Sequence, residues 1–111
     1  MADFLAGLDY GTGGAKAAVV DTKGTVLGYA FEEYPILTPG PGWSEHEATR
    51  YWEAAGRLLK KAIADSGVDA AEIRGVAVSS ALPSLVMVDR EGNPVNNGYN
   101  LMDRRGTDQV Q

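Results

Sequence analysis

The sequence predicts an α/β fold: an antiparallel meander of three strands, a crossover helix, a further strand beside the first, and a short hairpin-like end. Short apolar runs broken by glycine turns fill the chain up to Tyr34, and a stretch of 3.6-residue apolar periodicity follows. Two further apolar runs then appear, each bounded by turn residues.

Phe4 to Leu8 is apolar, ends at Asp9 and runs into Gly11-Thr12-Gly13-Gly14, which reads as a buried strand entering a tight turn. Ala15 to Val20 forms the second strand, Asp21-Thr22-Lys23-Gly24 the next turn, and Thr25 to Tyr34 the third strand. Pro35, Pro39 and Pro41 make Tyr34 to Gly42 a loop. Ser44 followed by Glu47 has the capping-box spacing, and the apolar residues behind it include Tyr51, Trp52, Ala55, Leu58, Leu59 and Ile63. These predict the buried face of a helix of about five turns, closed by Gly67. Ile73 to Ser79 reads as a strand buried on both faces, as in a βαβ arrangement. Leu85 to Val88 reads as another strand before a turn at Asp89 to Pro94, and Val95 to Met102 as a short one interrupted at Asn97-Gly98.

Composition excludes several classes of function. The formal charge of -5 is spread without a basic cluster, which argues against nucleic acid and against a polybasic membrane anchor as partners. With no cysteine and one histidine, disulfides, thiol nucleophiles and histidine-based zinc sites are excluded. The N-terminus has neither a basic region nor a long apolar stretch, so a cytoplasmic location is expected.

A glycine-rich turn lets backbone N–H groups approach an anion, because no Cβ stands in the way. Neither the dinucleotide fingerprint nor the P-loop fits Gly11-Thr12-Gly13-Gly14-Ala15-Lys16, since both need a helix where this chain has Ala17-Ala18-Val19-Val20. What remains is a phosphate hairpin between two strands. Asp9 at the strand end suits contact to Mg²⁺, Thr12 can donate a hydroxyl to phosphate, and Lys16 can offset charge. Gly11 and at least one of Gly13 and Gly14 are expected at positive φ. The same residues also read as a plain glycine hairpin with a solvated lysine. His46 reads as a surface histidine, and Trp43, Tyr51 and Trp52 as core packing rather than a sugar-stacking platform. Arg57, Lys60 and Lys61 read as the solvated back of the helix, with the lysines favouring its C-terminal dipole.

In order and spacing, several segments resemble the FGGY carbohydrate kinases, most closely xylulokinase-like members. Leu8-Asp9-Tyr10-Gly11-Thr12 with Lys16 resembles the family's phosphate hairpin, and Val20-Asp21-Thr22-Lys23-Gly24 the hairpin after it. Pro41-Gly42-Trp43-Ser44-Glu45 is similar to its proline loop, and Tyr51-Trp52 to its helical aromatic pair. The resemblance, from about Phe4 to Arg105, implies a ribonuclease-H-like (actin/hexokinase-type) half-domain over 1–111 that uses ATP and Mg²⁺ to phosphorylate a sugar or polyol. Asp9, Gly11, Thr12, Gly13, Gly14 and Lys16 would hold the nucleotide phosphates, and Asp9 the metal. It also implies that the catalytic base and the adenosine-binding half lie beyond residue 111, that the isolated chain is inactive, and that its uncovered surface self-associates. The sugar-facing segment, Ser-Gly-Gln-Met-His-Gly in xylulokinase-like members, is here Ser79-Ser80-Ala81-Leu82-Pro83-Ser84, so with Ala81, Leu82 and Pro83 a polar wall becomes mostly apolar. Leu101 and Asp103 match the substrate-side Trp-x-Asp-x-Arg, with Leu101 in place of Trp. Two alternatives are a non-catalytic sugar- or phosphate-binding fragment and an ATPase scaffold of the actin and chaperone type.

Overall fold

The computed structural model describes residues 2–110. β1 (Phe4–Tyr10), β2 (Gly14–Asp21) and β3 (Val26–Glu33) form the expected antiparallel meander. The β1–β2 ladder runs unbroken to the pair Tyr10↔Ala15, so Asp9 lies inside β1, opposite Lys16, rather than at the strand's end. At the next turn the Asp21 carboxylate accepts from the Lys23 and Thr25 N–H groups at 2.9 and 2.8 Å, and Gly24 takes φ +86°. The expected positive φ at Gly11 and at Gly13 or Gly14 is not found. Glycine is needed there for close approach: a Cβ on Gly14 would lie 2.4 Å from the Glu32 carbonyl oxygen, and one on Gly11 3.1 Å from that of Gly14.

α1 (Thr49–Ser66) follows the expected periodicity and ends at Gly67, φ +70°, whose N–H donates to the Ala64 carbonyl. Its start differs. The helix is flanked by Ala48 without a side-chain cap, and Glu45–His46 forms β4 instead. Long-range bonds outcompete the capping box: the Ser44 N–H donates to Asp103 at 2.8 Å, and Glu45 exchanges backbone hydrogen bonds with Leu37. Ala54, Ala55, Leu58 and Ala62 form the buried stripe, with Tyr51, Leu59 and Ile63 half-buried beside it. Trp52 is 83% exposed, which corrects its place on that face; Ala54 takes it instead. The stripe rests on Ala15, Ala17, Val19 and Ala30, and at Gly28 a Cβ would lie 2.0 Å from the Ala62 carbonyl oxygen. Lys60 and Lys61 are exposed, but the last turn carries no basic residue, so neither serves the dipole; Lys61 pairs with Asp65 and Arg57 with Glu32, each at 2.9 Å.

After a 3₁₀ turn at Ala70–Glu72 comes β5 (Ile73–Ser80), parallel to β1, giving the order β3-β2-β1-β5. The expectation that this strand is buried on both faces fails, with Val76 and Val78 at 56% and 64% exposure. α1 lies over β3 and β2 and leaves β5 uncovered. Leu85 to Val88 forms no regular strand, only isolated bridges from Leu85 to Tyr99 and from Val88 to Pro94. β6 (Gly98–Tyr99) pairs with β4 in a second, two-stranded sheet. Among the described residues, no helix is long and apolar enough to cross a membrane.

Truncating Leu58, which is 3% exposed, to Ala should lower the unfolding free energy by about 2–5 kcal/mol. Gly28→Ala should cost about 1–3 kcal/mol through overpacking. Trp52→Ala should stay within about 0.5 kcal/mol. Urea unfolding of the three variants checks this, and a Trp52→Ala cost equal to that of Leu58→Ala would reverse the assigned face.

Candidate functional site

The Gly11–Gly13 turn sits at the end of the sheet where β5 also finishes, and the Ala81 N–H donates to the Tyr10 carbonyl at 2.7 Å. The Gly11 N–H bonds the Gly14 carbonyl at 2.8 Å. The Tyr34 hydroxyl donates to the Gly11 carbonyl, and the Tyr34 N–H to that of Gly13 at 3.2 Å. Among the described residues, the Thr12 and Gly13 N–H groups make no backbone hydrogen bond. A turn whose carbonyls are held on one side while its amides stay free has the donor pattern of an anion cradle.

Asp9 and Lys16 stand opposite each other on the sheet face away from α1. They share an open groove with Gly11, Gly13, Gly14, Phe31 and Glu33, while Thr12 opens to the other side. Among the described residues no group of three or more His, Cys, Asp or Glu side chains could hold a metal ion.

On the Thr12 side is a cavity of about 220 Å³ lined by Thr12, Ser80, Ala81, Ser84, Asn100 and His46, with the tyrosines below. His46 is 2% exposed, which corrects its reading as a surface residue. The β4–β6 pairing and the Leu37 bridge carry it inward, a long-range arrangement that no local pattern announces. Its Nδ1 lies 2.7 Å from the Tyr51 hydroxyl, and its ring meets those of Tyr34 and Tyr51 edge-on at 4.8 and 5.6 Å. Burial lowers its pKa, and the Thr12 carbonyl beside it pulls the other way. Burial, then the nearby Tyr51, Tyr10 and Asp9, pushes the Tyr34 hydroxyl up to about 12. His46 Nε2 and Asn100 Nδ2 are buried without hydrogen-bond partners.

Of the proposed sugar-facing positions only Ala81 lines this cavity; Leu82, Pro83, Leu101 and Asp103 lie outside it. Leu82 is exposed, and Asp103 belongs to a separate cluster. There the Arg105 guanidinium stacks between the rings of Trp43 and Tyr99, 4.2 and 4.0 Å from their centroids, and pairs with Asp103 at 2.7 Å and with Glu45. The Arg105 hydrogen bonds hold Asp103 down to about 2, and the Asn97 amide followed by Arg105 lowers Glu45. The Asp103–Arg105 pair therefore ties the C-terminal segment to the loop before β4, and Trp43 stacks on a guanidinium rather than lying in the core. Sequence reading missed His46, Asn100 and Tyr34 as site residues. The available signal was the polar Glu45-His46 pair beside a glycine-tryptophan turn, with Tyr51 five residues on.

Residues 4–111 match the N-terminal domain of the FGGY family of carbohydrate kinases. A glycerol kinase from Haloarcula marismortui is 34% identical over 113 residues, spanning 100% of this chain and 22% of that protein. The structure of a xylulose kinase from Rhodospirillum rubrum superposes with a TM-score of 0.87 at 27% identity, over 96% of this chain and 22% of that one. A gluconate kinase from Lactobacillus acidophilus shares the fold with a TM-score of 0.91 at 20% identity, over 100% of this chain and 22% of that one. The chain thus spans about 22% of the length of these relatives.

The Asp103 carboxyl ordinarily titrates at 3.8 and here at about 2. Its folded value is depressed, so its stabilisation is complete above the ordinary value and is lost as pH falls towards about 2. Unfolding followed through this window should show a steeper loss of stability in the wild type than in Asp103→Asn, and parallel curves would contradict the assignment.

Proposed function

The chain belongs to the FGGY family of carbohydrate kinases, and from that premise we propose that it is the N-terminal part of an ATP- and Mg²⁺-dependent kinase. The reaction is transfer of the ATP γ-phosphoryl group to a sugar or polyol hydroxyl. The observation that supports this most is the turn whose Gly11 and Gly13 carbonyls are engaged by Tyr34 while the Thr12 and Gly13 amides stay free. Gly11, Thr12, Gly13 and Gly14 would cradle phosphate, and Lys16 would offset its charge across the ladder from Asp9. Asp9 would hold Mg²⁺, whose charge offsets that developing on the transferred group. The family match favours a carbohydrate kinase over an actin- or chaperone-type scaffold.

In this reading the chain's own residues position and neutralise rather than transfer a proton, since no catalytic base is assigned among them. Ala81, Leu82, Pro83, Leu101 and Asp103 are proposed to face the acceptor side; Ala81 does so from the cavity wall and the others from outside it. The location is proposed to be cytoplasmic. The uncovered surfaces, Val76 and Val78 on one face of the sheet and Leu27, Tyr29 and Phe31 on the other, are proposed to drive self-association.

Coupled ADP release with a panel of pentuloses, hexuloses and polyols should show no turnover by the 111-residue chain above an Asp9→Ala blank. Mg-nucleotide should bind at about millimolar Kd, near -4 kcal/mol, because the groove is open to water. Sugar-dependent ADP production above the blank would mean that a base is present, with Asp103 the first to test. Light scattering after size exclusion should find dimers or larger species, and a clean monomer at about 50 μM would sink the self-association reading.

A further inference from the structure

We infer that His46 is a positioning residue for the glycine turn: its Nε2–H is placed to hold the Thr12 carbonyl towards the protein, which would turn the Gly13 N–H outward to an anion. This deepens the phosphate-hairpin reading and rests on it.

In a trans peptide the carbonyl and the following N–H point in opposite directions, so fixing one aims the other. The Gly11 carbonyl is held by the Tyr34 hydroxyl, which turns the Thr12 N–H away from Tyr34. The Gly13 carbonyl is held by the Tyr34 N–H. Between them the Thr12 carbonyl accepts from no backbone N–H and from no other side chain among the described residues, and it is this carbonyl that lies beside the His46 ring. His46 Nε2 is the matching orphan: buried, unpartnered, and in the wall of the cavity that Thr12 also lines.

The ring is already fixed for the task. Nδ1 meets the Tyr51 hydroxyl at 2.7 Å, the Tyr34 and Tyr51 rings pack against its edges, and its backbone is paired with β6. A tyrosine hydroxyl can donate or accept, so Tyr51 can give its proton to Nδ1 and leave the ring's only hydrogen on Nε2. The opposite tautomer would set an Nε2 lone pair against a carbonyl lone pair in a buried site. In the neutral ring one nitrogen then accepts from the helix and the other donates to the turn. Tyr34 and His46 together would orient consecutive peptides, which gives Thr12 and Gly13 two parallel outward donors.

Nitrogen NMR of the wild-type chain tests the tautomer without any ligand: a protonated Nε2 and an accepting Nδ1 are expected, and a protonated Nδ1 would overturn the inference. His46→Phe keeps an aromatic ring and removes both nitrogens, the Nε2 donor and the Nδ1 that meets Tyr51. It should shift the Thr12 and Gly13 amide resonances and weaken Mg-ADP about five- to tenfold, the worth of one hydrogen bond. His46→Gln returns an N–H near the Nε2 position and should restore affinity to within about threefold. Unmoved turn amides in His46→Phe would overturn the inference, as would an equal loss in both variants, which marks a merely structural role. Weakened polyol binding with unmoved amides would instead direct Nε2 to the cavity and overturn it too. If wild type shows no Mg-ADP binding, the nucleotide reading fails, while the tautomer and the amide shifts still decide the role of His46.

Discussion

The close approach of α1 to β3 is the constraint on which the rest depends. At Gly28 there is no room for even one carbon, since a Cβ would sit 2.0 Å from the Ala62 carbonyl oxygen. The floor beneath the helix is otherwise Ala15, Ala17, Val19 and Ala30, met by Ala54, Ala55, Leu58 and Ala62. Small residues on both surfaces let the helix lie flat on the sheet, which fixes where its first turn ends up. That first turn carries Tyr51, whose carbonyl accepts from the Tyr10 hydroxyl at 2.9 Å. The helix is therefore registered to the end of β1, next to the glycine turn, by packing at one end and a hydrogen bond at the other.

From Tyr51 the constraint passes through an aromatic cluster. Tyr10, Tyr34, Tyr51 and His46 meet edge to face, with centroids 4.8 to 5.9 Å apart. Burial shifts the titration of each polar tip away from ionisation. With its hydroxyl pushed up to about 12, Tyr34 keeps its proton throughout the physiological range and remains a donor to the Gly11 carbonyl. Burial lowers the His46 pKa, which favours the neutral ring against the turn. Low dielectric makes these few hydrogen bonds count for more than they would in water.

Elements with a local cause were legible in the sequence. The meander follows from apolar runs and turn residues, the helix body from its 3.6-residue period, and its end from Gly67, which takes the left-handed conformation expected of a cap. What escaped was decided by partners far along the chain. Ser44 and Glu47 have correct cap spacing, yet Asp103 claims the Ser44 N–H from 59 residues away, and the helix starts later. Trp52 satisfies an apolar count but falls beside the stripe once the helix is oriented by Ala54, Leu58 and Ala62. The strand from Ile73 has the composition of a doubly buried strand, but α1 lies over β3 and β2 and does not reach this edge of the sheet. For the site, Asp9, Lys16 and the glycines could be marked as a group from their spacing. His46 and Asn100 could not, because two short strands that pair across 52 residues bring them inward.

The molecule has two parts, and the glycine turn lies at their seam. One is the sheet with its helix, held by apolar burial. The other is the proline loop with β4, β6 and the segment to Arg105, which contributes few residues to the apolar core and is held by polar contacts. Its centre is Arg105 between two aromatic rings, with Glu45 at 6% exposure and Asp103 as counter-charges. A buried charge group of this kind gives orientation rather than net stability, since desolvation offsets much of the attraction. Its value is geometric: it fixes β4, β4 delivers His46, and Asn100 follows through its N–H to the Ser44 carbonyl at 3.1 Å. The cavity therefore has one wall set by hydrophobic packing and one set by ion pairing. Conditions that weaken ion pairs should loosen the His46 and Asn100 wall while the sheet and helix stay intact.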